Sequence, residues 1–287
     1  MKPLNEALRQ FDFCRSLKMK YYIRRLPAAL LLLPLLGASA FAGELVEKFD
    51  KTFTLEPGQH FYLRNKNGAV RIFGWDKKEV RVEAIKRVRA GSRNQAEEIM
   101  REIKIDVTEN KEGLSIETYI PRSGSRSFLS WLFDGFSSHS IEVKYTLWMP
   151  PDLISEIRTI NGSISAKDLQ GEVSLKSTNG RISVENASGL VQARTTNGSV
   201  SIELIKVQPD AELRVRTTNG SIKLYLPEDF SGELTARTTN GSITTEFPVE
   251  VSGQFSRRRL HGWIGNGTAK CDLATTNGSI KILKIED

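Results

Sequence analysis

From about residue 43 onward, apolar and polar residues alternate with the period of two that marks half-buried strands. The runs "HFYLRNKNGAVRIFGW" (60–75) and "EVRVEAIKRV" (79–88) alternate in this way, with Asn67-Gly68 as a turn inside the first. A single stretch breaks to a helical period: "SRNQAEEIMREI" (92–103), with Ser92 placed to cap it and Ile99 and Ile103 four residues apart. Strand patterning resumes at "KIDVTE" and "LSIETYI", then gives way to "PRSGSRSFLSWLFDGFSSHS" (121–140), a polar-flanked loop with an apolar centre. After "IEVKYTLWMPP" the pair Pro150-Pro151 removes two ladder donors, and a boundary is expected there.

Beyond that point the chain repeats itself. Asn-Gly pairs stand at 161, 179, 197, 219, 240 and 277, at steps of 18, 18, 22, 21 and 37 residues. The last step is close to two periods, as though one coil had lost its signature and gained the insertion "SRRRLHGWIGNGT". Self-similarity near 20 residues marks a solenoid or a stacked array. Six, four and two residues before the asparagines stand sets such as Val173, Leu175, Ser177 and Leu213, Val215, Thr217. Their shared parity puts them on one strand face, and the asparagines share that parity. Three residues after each asparagine comes Ile164, Ile182, Val200, Ile222, Ile243 or Ile280, the next inward position.

Each repeat is therefore a strand, an Asn-Gly corner (Asn161-Gly162, Asn179-Gly180, Asn197-Gly198, Asn219-Gly220, Asn240-Gly241, Asn277-Gly278), a second strand and a looser turn. Two all-β architectures fit. In an antiparallel β-meander or sandwich, each Asn-Gly is an independent type I′ hairpin turn. In a parallel β-solenoid (β-helix) of about 18–22 residues per coil, equivalent residues stack about 4.8 Å apart. Stacking also accounts for the Thr-Thr that precedes most of the Asn-Gly pairs, because polar side chains can bond along a ladder. The solenoid is the reading adopted, with the meander as its alternative.

Charge narrows the partners. The chain has 287 residues and a formal charge of +7, but residues 1–42 hold seven basic and two acidic residues. The remaining chain is nearly balanced, which removes the bulk-charge argument for nucleic acid. The N-terminal segment has a basic start, an apolar run too short to span a bilayer, and Ala40-Phe41-Ala42 as a small-x-small cleavage pattern. Residues 1–42 are thus expected to be a signal peptide (true start possible at Met19), followed by an N-terminal β-rich part at 43–150 and the repeat solenoid at 151–287. The expected location is the periplasm, the cell surface or outside the cell. Cys14 falls in the leader, which leaves Cys271 without an intramolecular disulfide partner.

The recurring "TTNGSI" and the "SGE"-type turns resemble the bacterial β-strand-repeat family of adhesin-like proteins of unknown function, related to the head domain of autotransporter adhesins. The resemblance covers 154–285, and "LRNKNGAVRIFGWDKKEVRVEA" (63–84) is similar to that family's opening. It implies a parallel β-helix on an exported protein and says little about activity.

Catalytic and metal signatures are sparse. His60, His139 and His261 have no metal-ligand spacing, no nucleophile elbow or phosphate-binding glycine loop occurs, and no cofactor is expected. Asp168, Asp210, Asp229 and Asp272 fall in turns or on different columns, so a carbohydrate-active β-helix enzyme is only the alternative to a non-catalytic scaffold. Several Asn-Gly-Ser triplets match the glycosylation sequon, but asparagines that hold corners are structural. If they are buried, they are also shielded from deamidation.

The sharper signal is Arg158, Lys176, Arg194, Arg216 and Arg237, three residues before successive asparagines on the outward parity, with Ala274 at the last. In a solenoid they form one column that could bind an anionic polysaccharide or an envelope protein. Glu172, Glu212 and Glu233 lie four residues earlier, about 13 Å away and beyond direct pairing. Phe128, Trp131, Leu132, Phe133 and Phe136 are expected to cap an open end of the core or to touch a membrane or partner. Arg257, Arg258 and Arg259 are expected to project from an insertion.

Overall fold

The structure is a computed structural model and describes residues 43–55, 58–120, 139–252 and 256–285. All of these lie in the compact unit Ala40–Asp287. The expected leader and the loop residues Phe128, Trp131, Leu132, Phe133 and Phe136 lie outside the described residues.

The repeat region is a parallel β-solenoid. Each coil contributes one strand to each of two sheets: β8 (Ile154–Arg158) with β9 (Ile164–Lys167), β10 (Val173–Lys176) with β11 (Ile182–Ala187), β12 (Val191–Arg194) with β13 (Val200–Leu204), and β14 (Glu212–Arg216) with β15 (Ile222–Leu226). Pairing is parallel and in register, for example Val173↔Val191 and Ile182↔Val200. The hairpin alternative is thereby excluded for these turns. The inward parity positions are buried as the alternation requires, Leu175, Val215, Ile182 and Ile222 being fully enclosed.

The stack begins before the repeats. Strands β2 (His60–Arg64) and β3 (Val70–Gly74) form a coil around Asn67-Gly68 that pairs in parallel with β8 and β9. On its other side lie β6 (Gly113–Tyr119) and β7 (Ser140–Met149), which pair in parallel with β2 and β3. Both sheets run through the Pro150-Pro151 position without a break. Antiparallel strands then close this end: β4 (Glu79–Arg89) pairs with β7, β1 (Glu44–Thr54) with β4, and β5 (Lys104–Asn110) with β6. Helix α1 (Arg93–Glu102) packs against them; the Ser92 hydroxyl caps it by accepting the Gln95 N–H at 3.3 Å. It buries Ala96 and Met100, with Ile103 at its C-cap and Ile99 only partly covered, so the apolar face lies one position round from the expected one.

The other end departs from sequence order. The coil of β16 (Gly232–Asn240) and β17 (Ile243–Thr245) does not stack on β14 and β15. The C-terminal coil, β20 (Ala269–Asn277) and β21 (Ile280–Lys284), lies between them, pairing in parallel with β14 and β15 on one side and β16 and β17 on the other. The 37-residue step is therefore not a coil that lost its signature. The chain passes through β18 (Glu250–Val251) and β19 (Arg259–Ile264), which runs antiparallel along the outer edge of β16, and then crosses β16 to fill the slot.

The crossing is made by Gly265-Asn266-Gly267, which passes against Ser231: a Cβ on Gly267 would sit 2.1 Å from the Ser231 carbonyl oxygen. Gly265 takes the left-handed conformation that permits the bend, with φ of 59°. The stretch "RRRLHGWIG" is thus largely a strand, with Leu260 and Ile264 buried, and only Arg257 and Arg258 lie before it in a turn. Phe230 and Phe247, edge to face at 6.3 Å, join Leu260 and Ile264 in covering the core at this end.

Candidate functional site

Six hydrogen bonds tie seven corner asparagines into one ladder. Each side-chain amide donates to the amide oxygen of the next: Asn161 to Asn67 (2.7 Å), Asn179 to Asn161 (2.8 Å), Asn197 to Asn179 (2.7 Å), Asn219 to Asn197 (2.7 Å), Asn277 to Asn219 (2.7 Å) and Asn240 to Asn277 (2.8 Å). Beneath them a second ladder uses the residue two before the asparagine. Ser177, Thr195, Thr217, Thr275 and Thr238 donate their hydroxyls to the carbonyls of Gly162, Gly180, Gly198, Gly220 and Gly278 at 2.8–3.0 Å. In the first repeat Thr159 lacks this bond, because Asn65 already donates to the Gly68 carbonyl at 3.1 Å.

Two expectations change here. The asparagines share the inward parity of the strands, yet the six repeat asparagines lie solvent-exposed and Asn67 is half-buried. The glycines also have a different duty. Among Gly162, Gly180, Gly198, Gly220 and Gly241 none has a positive φ, whereas an added Cβ would lie 1.9–2.1 Å from a glycine carbonyl oxygen of the adjacent coil. At these five corners glycine is required by close stacking and not by backbone freedom, whereas Gly68 and Gly278 combine the same close approach with a positive φ of 122° and 156°.

The predicted cations do form a column. Register places Arg158, Lys176, Arg194 and Arg216 on successive strands, followed by Ala274 and Arg237. Arg64 extends the column at one end and Arg259 at the other. The same three-before-asparagine spacing identifies Arg64 in the sequence; Arg259 enters only through an antiparallel pairing.

The column is not bare, however. Glu156 Oε1 accepts from Arg158 (2.6 Å) and Lys176 (2.8 Å), and its own side chain is 3% exposed. Asp272 pairs with Arg216 and lies 3.6 Å from Arg237. These acids stand two residues before the column on the same face, closer than the glutamates considered from spacing. Of those, Glu233 lies 3.7 Å from His261, Glu212 pairs with Arg214, and burial holds the Glu172 carboxyl above its ordinary range.

Among the described residues Arg194 has no acidic partner. It is exposed, flanked by Lys176 and Arg216, whose charged ends are drawn to acids on the far coils. Gln192 and Thr196 share its outward parity, and Thr178, Thr196 and Thr218 are exposed beside the asparagine ladder. Like Arg64 and Arg259 at the two ends of the column, Arg194 has no ion pair among the described residues, but it alone lies inside the column, on a repeating hydroxyl and amide surface suited to binding an anion. Asp168, Asp210 and Asp229 lie in turns and Asp272 is engaged by arginines, so no paired carboxylates converge. No group of three His, Cys, Asp or Glu residues among the described residues could hold a metal.

This architecture defines a stacked-coil β protein with one hydrogen-bonded corner. Residues 155–283 match the model of the Toastrack DUF4097 family. The chain is similar to solved structures of a candidate cell adhesion protein from Clostridium sporogenes (13% identity, TM-score 0.44, covering 83% of this chain and 100% of that one) and a candidate adhesin from Bacteroides fragilis (12% identity, TM-score 0.41, 83% and 97%). It is also similar to a candidate lipid binding protein from Parabacteroides distasonis (12% identity, TM-score 0.30, 84% and 97%). No curated protein matches the chain.

Proposed function

We propose that the protein is a non-catalytic, exported scaffold of the cell envelope whose outer sheet face binds an anionic glycan along the basic column, with Arg194 as its centre. The observation that supports this is the charge imbalance within the column. Two acids are shared among four of the cations, Glu156 between Arg158 and Lys176 and Asp272 between Arg216 and Arg237, while Arg194 is left exposed with Gln192 and Thr196 beside it. The strand spacing of about 4.8 Å lets an extended polymer lie along the stack, meeting hydroxyls at each coil. Export rests on the basic, apolar and small-x-small order of residues 1–42.

The test is retention on immobilised polygalacturonate, with neutral dextran as the control. Wild type should be retained at low ionic strength and released by salt, as expected for screened surface charge. Arg194→Glu should cut retention severely, whereas Arg237→Glu at the acid-paired end should do so less. Equal retention of wild type and Arg194→Glu would overturn the reading.

A further inference from the structure

Eight glycines in this chain follow an asparagine: Gly68, Gly162, Gly180, Gly198, Gly220, Gly241, Gly267 and Gly278. Asn-Gly is the dipeptide most open to spontaneous deamidation, because glycine places no side chain in the way of ring closure. The nucleophile is the glycine backbone nitrogen, so the fate of that N–H decides reactivity as much as exposure of the asparagine does.

Seven of the eight nitrogens are occupied. Gly68, Gly162, Gly180, Gly198, Gly220 and Gly278 donate to the backbone carbonyls of Asn161, Asn179, Asn197, Asn219, Asn277 and Asn240, at 2.8–3.1 Å. Gly267 donates to the Ser231 hydroxyl at 2.5 Å. The direction is constant: each corner N–H points to the next coil towards the β16 end of the stack. Among the described residues the β16–β17 coil has no further coil beyond it, and Gly241 N has no hydrogen-bond partner. The neighbouring segment bonds on either side, Arg258 O accepting from Thr238 N (3.0 Å) and Arg257 O from Ile243 N (2.9 Å), and passes over Gly241 without engaging it. Asn240 and Gly241 are both exposed, and the Asn240 side chain keeps a single ladder bond, to Asn277. The opposite end of the ladder differs: Gly68 N is bonded although Asn67 is also terminal.

We infer that Asn240–Gly241 is a modification site, the one Asn-Gly pair of this protein that the fold leaves open to deamidation. Gly241 N attacks Cγ of Asn240; the N–Cγ bond forms, the Cγ–Nδ2 bond breaks, and ammonia leaves with the proton lost from Gly241 N. Water then opens the five-membered imide at either carbonyl, giving aspartate or isoaspartate. The product places a negative charge at the end of the ladder, and isoaspartate adds one backbone carbon at a corner where a Gly241 Cβ would already meet the Gly278 carbonyl at 2.1 Å. At the seven other pairs the same reaction requires local opening of the stack first.

The full chain, held folded in mildly alkaline buffer and mapped by peptide mass spectrometry over time, tests this. Aspartate and isoaspartate should accumulate at 240 roughly tenfold or more faster than at 67, 161, 179, 197, 219, 266 or 277, the gap reflecting the cost of opening the stack. In urea the eight rates should converge. Asn240→Gln should remove the earliest mass gain and leave the other seven sites unchanged. Any other pair reacting as fast as Asn240 in the folded chain, or a spread of rates that persists in urea, would overturn the inference.

Discussion

The two turns of each coil follow different rules. At the Asn-Gly corner five residues always stand between the cation-column position and the next inward position, from Arg64 to Val70, Arg158 to Ile164, Arg194 to Val200 and Ala274 to Ile280 alike. At the opposite turn the count varies, being three between Ala187 and Val191 and seven between Leu204 and Glu212. The first corner carries backbone and side-chain bonds to both adjacent coils, so its length cannot change without breaking them. The second is held more loosely and contains the left-handed residues Asp168 and Asp210, with a third, Asn186, at the end of the strand that leads into it. One corner sets the stack, and the other absorbs the difference between 18- and 22-residue periods.

The largest test of this contrast pairs a substitution with an insertion. Gly198→Ala places a Cβ 2.1 Å from the Gly180 carbonyl, backbone against backbone, and should cost about 3 kcal/mol or prevent folding. One alanine added between Ile205 and Gln208 in the opposite turn should cost less than about 1 kcal/mol, since loop length is cheap. Denaturant unfolding of both variants measures the difference, and similar losses would dissolve the comparison.

A middle-sized effect sharpens it. Thr195→Val keeps the shape but leaves the Gly180 carbonyl without its 2.9 Å side-chain bond, and should cost about 1–2 kcal/mol. Thr159→Val, at the one coil where the hydroxyl has no partner, should be neutral or stabilising. A thermal-melt comparison that ranked Thr159→Val as the more damaging would contradict the ladder account.

The smallest effect lies in the antiparallel N-terminal strands. The Asp50 carboxyl is held below its ordinary range by the Arg81 guanidinium at 2.8 Å and then by Lys48 at 3.4 Å. A depressed folded-state value means that this pair stabilises the fold above the unfolded carboxylate range and that the contribution is lost as pH falls through the lower folded value. Asp50→Asn should therefore flatten the acid limb of the stability curve slightly and leave the Asn-Gly corner untouched. Backbone hydrogen exchange at Gly180 and Gly198 should show no change.

The alternation and the repeat spacing made most of the stack legible. Val173, Leu175, Ile182 and their equivalents could be assigned to the core by parity alone, because burial follows the two-residue period of a strand. The cation column was legible for the same reason. The sharing of Asp272 by Arg216 and Arg237 was not, since they are neighbours only because the C-terminal coil sits between coils that are adjacent in sequence.

The sequence by itself determined the coil: strand, five-residue corner, strand, with glycine and asparagine at fixed places, because stacking identical polar groups favours identical residues. Tertiary structure alone decided the order of the coils and the direction of the corner hydrogen bonds. Those two choices leave Arg194 without an acid in the interior of the column and single out Gly241 among equivalent glycines, because a repeat looks the same at every position until its neighbours are known.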